Sequence, residues 1–362
     1  MGGDTCAVSE RTKTIAVAAV VLLVVLVAGL DWLTGRSPEA AQSPTSRPLQ
    51  GSVLPLLPKG VFQGTLWYAD AGCRIIRVDL ATLRRTAVTP GGGHCRFWIS
   101  PDGTKIAMHV GSPFTKPSDL ELLDLGTGTI TRPFHRPDLG VSAPAWSPDS
   151  RTLVACDANH VSSVLLSLDV PTGTVRTLRR SACYPGYAGT RLAYQSTLGG
   201  SVILGGKKLA DAGTLGRLLH AGVDQIPGPA ALGDTVAVPA TTVPSSPTVA
   251  PHTVILFYDS AGRLHGRWDT GIAADTVGLL DAGRFAYYTR PNQTVVYQRK
   301  TGDVFIDAEG SILAAAASPD GRTLALSNPE AIIFTDVASS RQRFELPVVA
   351  RWLAWTPPGS TS

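Results

Sequence analysis

Short runs of alternating apolar and polar residues recur along most of this chain, and each run follows a glycine or a serine. These marks are spaced 38 to 50 residues apart and comprise Gly64, Gly103, Ser150, Gly189, Gly233, Gly283, Gly321 and Gly359. Alternation of this length predicts half-buried β-strands. A second hairpin pattern, of the Asp-x-x-Thr-Gly type, falls between most of the marks, so that each interval has room for four strands and two turns. Self-similarity at this spacing is typical of β-propeller blades.

Three of the marks end the turn Ser-Pro-Asp-Gly or its variant Ser-Pro-Asp-Ser, at residues 100–103, 147–150 and 318–321. Proline presets the second position of a type I turn, aspartate suits the third, and glycine accepts the positive φ that follows. Turn geometry therefore explains the recurring aspartates, which are expected to be structural rather than catalytic; these are Asp102, Asp149 and Asp320. The tryptophans beside the marks are expected to pack between blades; these are Trp98, Trp146 and Trp355.

The two ends of the repeat predict how the ring closes. The chain before Gly64 supplies no inner strand for the first blade, whereas residues 352–358 form an inner strand without a blade of their own. Pairing these two fragments removes the last open sheet edge. We therefore predict an all-β fold, a seven-bladed β-propeller closed by the C-terminal strand. Six blades are the alternative, because the second hairpin of the fourth repeat, between Ser201 and Gly213, is irregular.

The N-terminal region carries an apolar run without a charge from Thr14 to Leu30. As a helix, a run of this length spans roughly 25 Å, which is enough to cross a bilayer. Arg11 and Lys13 precede the run, and the positive-inside tendency keeps them in the cytoplasm. A cleaved signal peptide is the alternative, but the run is longer than a usual signal core and no clear small-x-small site follows it.

The chain is thus expected to have four parts. Residues 1–13 are a cytoplasmic tail, 14–33 a single transmembrane helix, 34–59 a linker rich in proline and serine, and 60–362 an extracytoplasmic propeller. The protein would therefore be a single-pass protein of the cell membrane. Its net charge of +4 is small for 362 residues and its basic residues are scattered, so that nucleic-acid binding is not expected.

Four of the five cysteines lie in the predicted propeller, where an oxidising compartment permits disulfides. The blade plan places all four on the face that carries the connections between the second and third strands and between blades. We call it the loop face, and the opposite face, with the repeated turns, the turn face. This placement favours pairing Cys73 with Cys95 and Cys156 with Cys183, each bridge stabilising the fold by roughly 3 kcal/mol. Four buried free thiols are the alternative.

Three segments carry a resemblance to a known family: ISPDGTKIAM, WSPDSRTLVA and ASPDGRTLAL. They resemble the repeat of TolB-type propellers, which are related in form to WD-repeat propellers, and the resemblance covers about residues 60–359. That family implies a soluble periplasmic protein with an additional N-terminal domain and with partners in the cell envelope. Here a membrane anchor is expected in place of that domain.

The candidate binding residues are polar and aromatic side chains expected in loop-face connections; these are His94, His135, Arg136, Asp138, Tyr184 and Tyr187. No catalytic, cofactor-binding or metal-binding residue is predicted. The expected inner strands, such as ILAAAAS and RWLAWT, contain almost no carboxylate, histidine or nucleophile. The chain also lacks a Gly-x-Ser-x-Gly elbow, and its histidines show no metal-ligand spacing.

These observations favour a binding or scaffolding module in the bacterial cell envelope, whose partner is an unidentified envelope protein or other extracytoplasmic ligand. The bacterial source is inferred from a composition typical of GC-rich coding, with arginine far more frequent than lysine. The alternative is a propeller-type hydrolase or lactonase acting on an envelope or small-molecule substrate. Its mark would be carboxylates or histidines that converge on a metal at the channel mouth. A sensor that signals through residues 1–13 is a third possibility.

Overall fold

The computed structural model describes residues 54–358 of the chain except 111–118, 135–139, 142, 159–162, 197–199, 244–249, 291–292, 301, 303, 306–311 and 340. These residues form seven antiparallel sheets arranged as the blades of a propeller, which confirms the predicted number of blades. The predicted cytoplasmic tail, the transmembrane helix at 14–33 and most of the linker lie outside the described residues. Within the described part, no helix has the length and hydropathy that a bilayer crossing requires.

The first four blades follow one another along the chain. Blade 1 contains β1 (Thr65–Ala69), β2 (Ile75–Asp79) and β3 (Arg84–Ala87). Blade 2 contains β4 (Arg96–Ile99), β5 (Lys105–Val110), β6 (Asp119–Asp124) and β7 (Ile130–Thr131). Blade 3 contains β8 (Gly140–Val141), β9 (Ala145–Trp146), β10 (Thr152–Ala158), β11 (Ser163–Asp169) and β12 (Thr174–Arg180). Blade 4 contains β13 (Ala182–Ala188), β14 (Arg191–Ser196), β15 (Val202–Leu204) and β16 (Lys207–Ala210).

The last three blades complete the circle. Blade 5 contains β17 (Val223–Gln225), β18 (Ala230–Leu232), β19 (Thr235–Thr242), β20 (Thr253–Asp259) and β21 (Leu264–Asp269). Blade 6 contains β22 (Thr276–Leu280), β23 (Phe285–Arg290), β24 (Gln293–Gln298) and β25 (Val304–Phe305). Blade 7 contains β26 (Ala314–Ala317), β27 (Thr323–Ser327), β28 (Ile332–Asp336) and β29 (Gln342–Leu346). The inner strands of blades 3 and 5 are each split into two pieces that pair with the same neighbour.

The final strand, β30 (Trp352–Thr356), closes the ring as predicted. It pairs antiparallel with β1, and Leu66 lies opposite Trp355. The Trp355 ring packs at 5.8 Å from the Phe334 ring of blade 7 and at 5.5 Å from the Phe62 ring. The C-terminal strand therefore completes blade 1 and also fills the contact between blades 7 and 1.

The chain also strengthens this closure at its other end. The backbone N–H of Leu57 donates to Glu345 O at 2.8 Å, and the N–H of Glu345 donates to Pro55 O at 3.0 Å. Residues 55–57 thus run along the outer edge of β29, and the Leu57 side chain is buried in the core shared by blades 7 and 1. Covering an edge strand in this way satisfies its free backbone groups.

The Ser-Pro-Asp-Gly turns owe their repeated sequence to a shared hydrogen-bond pattern. In the turn at 100–103, the Ser100 hydroxyl donates to Asp102 Oδ1 at 2.6 Å and accepts the N–H of Lys105 at 2.9 Å. Gly103 adopts a φ of +71°. The turns at 147–150 and 318–321 repeat the serine–aspartate bond at 2.6 Å. These bonds use the aspartates as turn residues, as expected from the sequence.

Neighbouring blades are joined on the turn face by side chains that reach from one turn to the next. The Ser150 hydroxyl of blade 3 accepts the N–H of Asp102 of blade 2 at 2.9 Å. The Arg284 guanidinium of blade 6 donates to Pro319 O at 2.8 Å and to Asp320 O at 3.0 Å in blade 7. Trp146 makes a similar link nearer the axis, donating to Trp98 O at 3.0 Å. The ring is therefore held by contacts between blades as well as by its closing strand.

The irregular fourth repeat is a complete blade followed by a short helix. Gly205 and Gly206 both have positive φ and turn the chain between β15 and β16. The helix α1 (Ala212–Leu219) then occupies the connection to blade 5. Asp211 caps it by accepting the Thr214 N–H, and His220 ends it in the left-handed conformation. The sequence analysis did not predict this helix.

Candidate functional site

The loop face is stapled by two disulfides, and both join neighbouring blades. Cys73, in the connection after β1, is bonded to Cys95, which directly precedes β4. Cys156 of β10 is bonded to Cys183 of β13. Both predicted pairings are thereby confirmed. The bridges link blade 1 to blade 2 and blade 3 to blade 4, and they hold the loop-face ends of the inner strands in place.

A buried polar cluster adjoins the first disulfide, and we call it the His94 cluster. His94 Nε2 donates to Glu121 Oε2 at 2.9 Å, while Arg132 binds the other carboxylate oxygen with Nε at 2.8 Å and Nη2 at 2.6 Å. Glu121 is 5% exposed and His94 is 9% exposed. A buried carboxylate needs such partners, because an unpaired charge away from water is costly. The cluster thus ties the connection into blade 2 to β6 and to the segment after β7.

The partners of Glu121 control its protonation. Burial raises the pKa of Glu121, but hydrogen bonds from His94 and Arg132 outweigh burial and leave the pKa below its ordinary value. A carboxyl group with a lowered pKa stabilises the fold above its unfolded-state pKa of about 4.3. That contribution is lost as the pH falls through the lower folded-state value.

Replacing Glu121 with glutamine is therefore expected to destabilise the propeller at neutral pH by about 1–3 kcal/mol, since charged hydrogen bonds are lost. The loss should shrink as the pH is lowered below about 4. Chemical denaturation between pH 3 and pH 7 measures both effects. Glu330→Gln changes an exposed glutamate and serves as the matched control. A deficit for Glu121→Gln that stays constant with pH would contradict this account.

A second group of side chains comes from the inner strands β4 and β30 and from β23 of blade 6, and we call it the Arg96 cluster: Arg96, Trp98, Trp352 and Tyr287. The Arg96 guanidinium lies 5.9 Å from the centre of the Trp352 ring. The Trp98 and Trp352 rings meet edge to face with centroids 5.5 Å apart. Tyr287 comes from blade 6, and its ring occupies the space that a side chain at Gly278 would need. Burial raises the pKa of Tyr287, and the positive charge of Arg96 partly opposes that rise.

The structure places the predicted binding residues in different surroundings. His94 belongs to the buried His94 cluster. His135, Arg136 and Asp138 lie outside the described residues. Tyr184 is 46% exposed near the loop-face end of β13 and has a φ of +55°. These positions leave the proposed binding roles as predictions.

Tyr187 requires a correction of position. The sequence analysis placed it in a loop-face connection, but residues 182–188 form the inner strand β13. Tyr187 pairs with Leu192 beside the turn at Gly189, and the charge of Asp149 on the turn face contributes to its raised pKa after burial. A bulge between Cys183 and Gly186 hides the alternation of this strand, which explains the error.

The sequence analysis missed Glu121, Arg132, Arg96 and Tyr287 as site residues. Glu121 stands inside an apolar strand, DLELLD, and a charge in such a run is a signal that could have been used. Arg96 follows a cysteine at the start of an inner strand, which is a similar signal. Tyr287 offered no such signal, because an aromatic residue is ordinary in an apolar strand such as FAYYTR. Among the described residues, no group of three or more His, Cys, Asp or Glu side chains is arranged to hold a metal ion.

Comparison with known structures returns β-propellers. TolB from Acinetobacter baumannii is 18% identical over 83% of this chain and 68% of its own, with a TM-score of 0.48. An oligogalacturonate lyase in complex with manganese is 13% identical over 76% of this chain and 82% of its own, with a TM-score of 0.50. The oligogalacturonate lyase from Vibrio parahaemolyticus is 11% identical over 76% and 86%, with a TM-score of 0.51.

Sequence identities this low show a shared fold and nothing about function. No family model matches the chain, and no curated protein sequence matches it either. The seven four- and five-stranded sheets, the closing strand and the Ser-Pro-Asp-Gly turns are those of a propeller. The chain is therefore a seven-bladed β-propeller, with TolB and oligogalacturonate lyase structures among its structural neighbours.

Proposed function

We propose that this protein is a membrane-anchored, extracytoplasmic binding module of the bacterial cell envelope that engages its partner or ligand with the loop face. The observation that carries the proposal is the construction of that face. Two disulfides staple the loop-face ends of four blades, and the loop face also holds the His94 cluster. Binding residues are commonly carried by connections that a rigid scaffold positions.

The location rests on two features. Disulfides form and persist in oxidising compartments outside the cytoplasm. The apolar run from Thr14 to Leu30 would serve as the anchor, with residues 34–59 spacing the propeller from the bilayer. In this arrangement the N-terminal 13 residues remain in the cytoplasm. The propeller would then lie outside the membrane, where other components of the cell envelope can contact it.

Exposed apolar side chains support the loop face as a contact surface. Tyr184 is 46% exposed, Val243 is 48% exposed and Leu313 is 43% exposed, and all three lie at the loop-face ends of their blades. Tyr184 and Val243 belong to the neighbouring blades 4 and 5, and exposed apolar surface on one face is characteristic of interaction sites. The turn face also has exposed apolar residues, and two of them provide a matched control.

Crosslinking in intact cells tests the proposal. The double variant Tyr184→Asn/Val243→Ser is expected to lose the specific crosslinked product that the wild-type full-length chain forms. Asparagine is chosen because it tolerates the positive φ at residue 184. The control variant Leu232→Ser/Leu264→Ser changes turn-face side chains of similar exposure, 40% and 42%, and should retain the product. An unchanged product in the loop-face variant would reject the loop face as the contact surface.

The alternative function, a propeller hydrolase or lactonase, makes a different demand on the protein. It needs a group that activates water or polarises a carbonyl, which on a propeller would be a metal at the channel mouth. Metal analysis of the purified full-length protein separates the two functions. A stoichiometric divalent ion would favour the enzyme, in line with the manganese named for one oligogalacturonate lyase structure.

A further inference from the structure

The outer strand of blade 3 is an open sheet edge. β12 runs over seven residues from Thr174 to Arg180, and it is the longest outer strand in the described part of the ring. It pairs with β11 on one side, and no described segment pairs with its other side. All seven residues are exposed. The free backbone N–H and C=O groups of such an edge can pair with another chain.

The chain covers a comparable edge in blade 7. There, residues 55–57 run parallel to β29 and form two backbone hydrogen bonds with Glu345. An extended segment can thus add to the outer edge of a blade in this ring. In blade 3 the described chain supplies no such segment, so that the edge of β12 is open to a segment from another molecule.

The open edge carries positive charge and no negative charge. The sequence of β12, TVRTLRR, contains Arg176, Arg179 and Arg180. In the described part of the chain, none of these guanidiniums forms an ion pair with a carboxylate. Arg179 instead donates to the Tyr194 hydroxyl of blade 4 at 3.3 Å. The positive charges of the edge are therefore available to a partner.

The two sides of β12 differ, because residues paired across an antiparallel sheet share a face. Arg179 lies opposite Leu165, whose side chain is buried against blade 4. Arg176 occupies the same face, farther along the ladder. Val175 and Arg180 belong to the other side of the strand, and Val175 is 37% exposed. An added strand would thus meet Arg176 and Arg179 together on one side.

These charges restrict what can pair with the edge. A second copy of β12 would set arginines against arginines, and like charges opposite each other destabilise strand pairing. The linker of the same chain does not fit either, because residues 34–53 contain Arg36, Arg47 and the single carboxylate of Glu39. The arginines therefore disfavour self-association and favour an acidic partner.

We propose that the outer edge of β12 binds an extended, acidic segment of a partner protein, which adds to blade 3 as a further strand. Backbone hydrogen bonds along the open edge supply affinity in this mode of binding. Carboxylates opposite Arg176 and Arg179 supply specificity, because oppositely charged cross-strand pairs fix the partner and its register. The edge lies on the circumference of the ring and is distinct from the loop-face residues Tyr184 and Val243, so that this inference goes beyond the proposed function.

A fluorescently labelled peptide tests the ligand class, with the full-length protein held in discs of neutral lipid. The peptide alternates glutamate and valine over about eight residues, so that all of its carboxylates share one face of the strand. We expect saturable binding by fluorescence anisotropy, and added salt should weaken it because the charges are exposed. The same peptide with lysine in place of glutamate should bind at least about tenfold more weakly, since attraction becomes repulsion.

Two further probes separate strand addition from charge alone. A peptide with proline in place of each valine keeps the carboxylates but cannot pair as a strand, and it should bind at least about tenfold more weakly. Equal binding of the proline peptide, or no saturable binding of the acidic peptide, would overturn the proposal. Displacement of the acidic peptide by vesicles of phosphatidylglycerol would assign the arginines to an anionic membrane surface and would overturn it as well.

A matched pair of arginine variants tests the location. Arg176→Gln/Arg179→Gln is expected to weaken binding of the acidic peptide about fivefold, the effect of losing exposed ion pairs. Arg84→Gln/Arg85→Gln removes as many exposed arginines from β3, the outer strand of blade 1. It should bind the peptide as the wild type does. Equal losses in both variants, or no loss in the β12 variant, would contradict the assignment to β12.

The two proposals fail separately. Arg176→Gln/Arg179→Gln leaves Tyr184 and Val243 in place, so that crosslinking through the loop face should persist in this variant. Crosslinking by the wild type without peptide binding would reject the β12 edge alone. Peptide binding without a crosslinked partner would reject the loop face as a partner surface and retain the edge.

Discussion

Ending the chain at Arg351 is expected to prevent the propeller from folding. This truncation removes β30, so that β1 loses its antiparallel partner and the buried side chains of Leu66 and Tyr68 lose their cover. The contact between blades 7 and 1 loses Trp355 as well. The free energy of unfolding of a folded protein is only about 5–15 kcal/mol. Opening the ring exposes a sheet edge and is expected to remove much of that stability. Near-ultraviolet circular dichroism and thermal unfolding measure the loss.

The control ends the chain at Pro358 and keeps all of β30. It should unfold at the same temperature as the full-length chain. A synthetic peptide of residues 351–358, added to the truncated chain, is expected to restore part of the native signal because it can pair with β1. Cooperative unfolding of the truncated chain at an unchanged temperature would refute the closure by β30.

The second large effect is expected from the disulfide between Cys156 and Cys183. Replacing both residues with alanine should lower the free energy of unfolding by about 3 kcal/mol, because the bridge restricts a loop of 27 residues in the unfolded chain. Both positions are buried, so alanine avoids placing a hydroxyl in the core. Denaturant unfolding under oxidising conditions measures the difference.

Cys6→Ala provides the control, because Cys6 has no part in either disulfide. It should unfold as the wild type does. Adding a reductant should lower the stability of the wild type and of Cys6→Ala by more than that of the double variant, which retains only the bridge between Cys73 and Cys95. Identical midpoints for all three proteins without reductant would argue against a stabilising bridge.

The fold could be predicted because its signals are local. Each Ser-Pro-Asp-Gly turn is specified by four residues that hydrogen-bond to one another, and the repeated turns give the register of the blades. The closing strand could be predicted because the first blade lacks an inner strand and residues 352–358 form an inner strand without a blade of their own. The disulfides followed from the blade plan, since alternate connections share a face. None of these steps needed a contact between distant parts of the chain to be known beforehand.

The site could be predicted only in part. His94 was selected for its loop, but its partner Glu121 stands 27 residues away in a strand that otherwise reads as core. Tyr187 was misplaced because a bulge broke the alternation of β13. Trp98 and Trp352 come from blades 2 and 1, and only the closed ring brings their rings to 5.5 Å from each other.

By itself, the sequence determined the propeller architecture and the pairing of the last strand with β1, and it favoured seven blades and the two cysteine pairs that the structure has, because turn chemistry and periodicity act over a few residues. The tertiary structure decided which side chains meet between blades and on the loop face. These contacts depend on how each blade is rotated relative to the next and on the space that Gly278 leaves for the Tyr287 ring. They also depend on distant residues that neutralise a buried charge, as His94 and Arg132 do for Glu121. The local sequence pattern does not predict such contacts, because the two residues that form each contact are far apart in the chain.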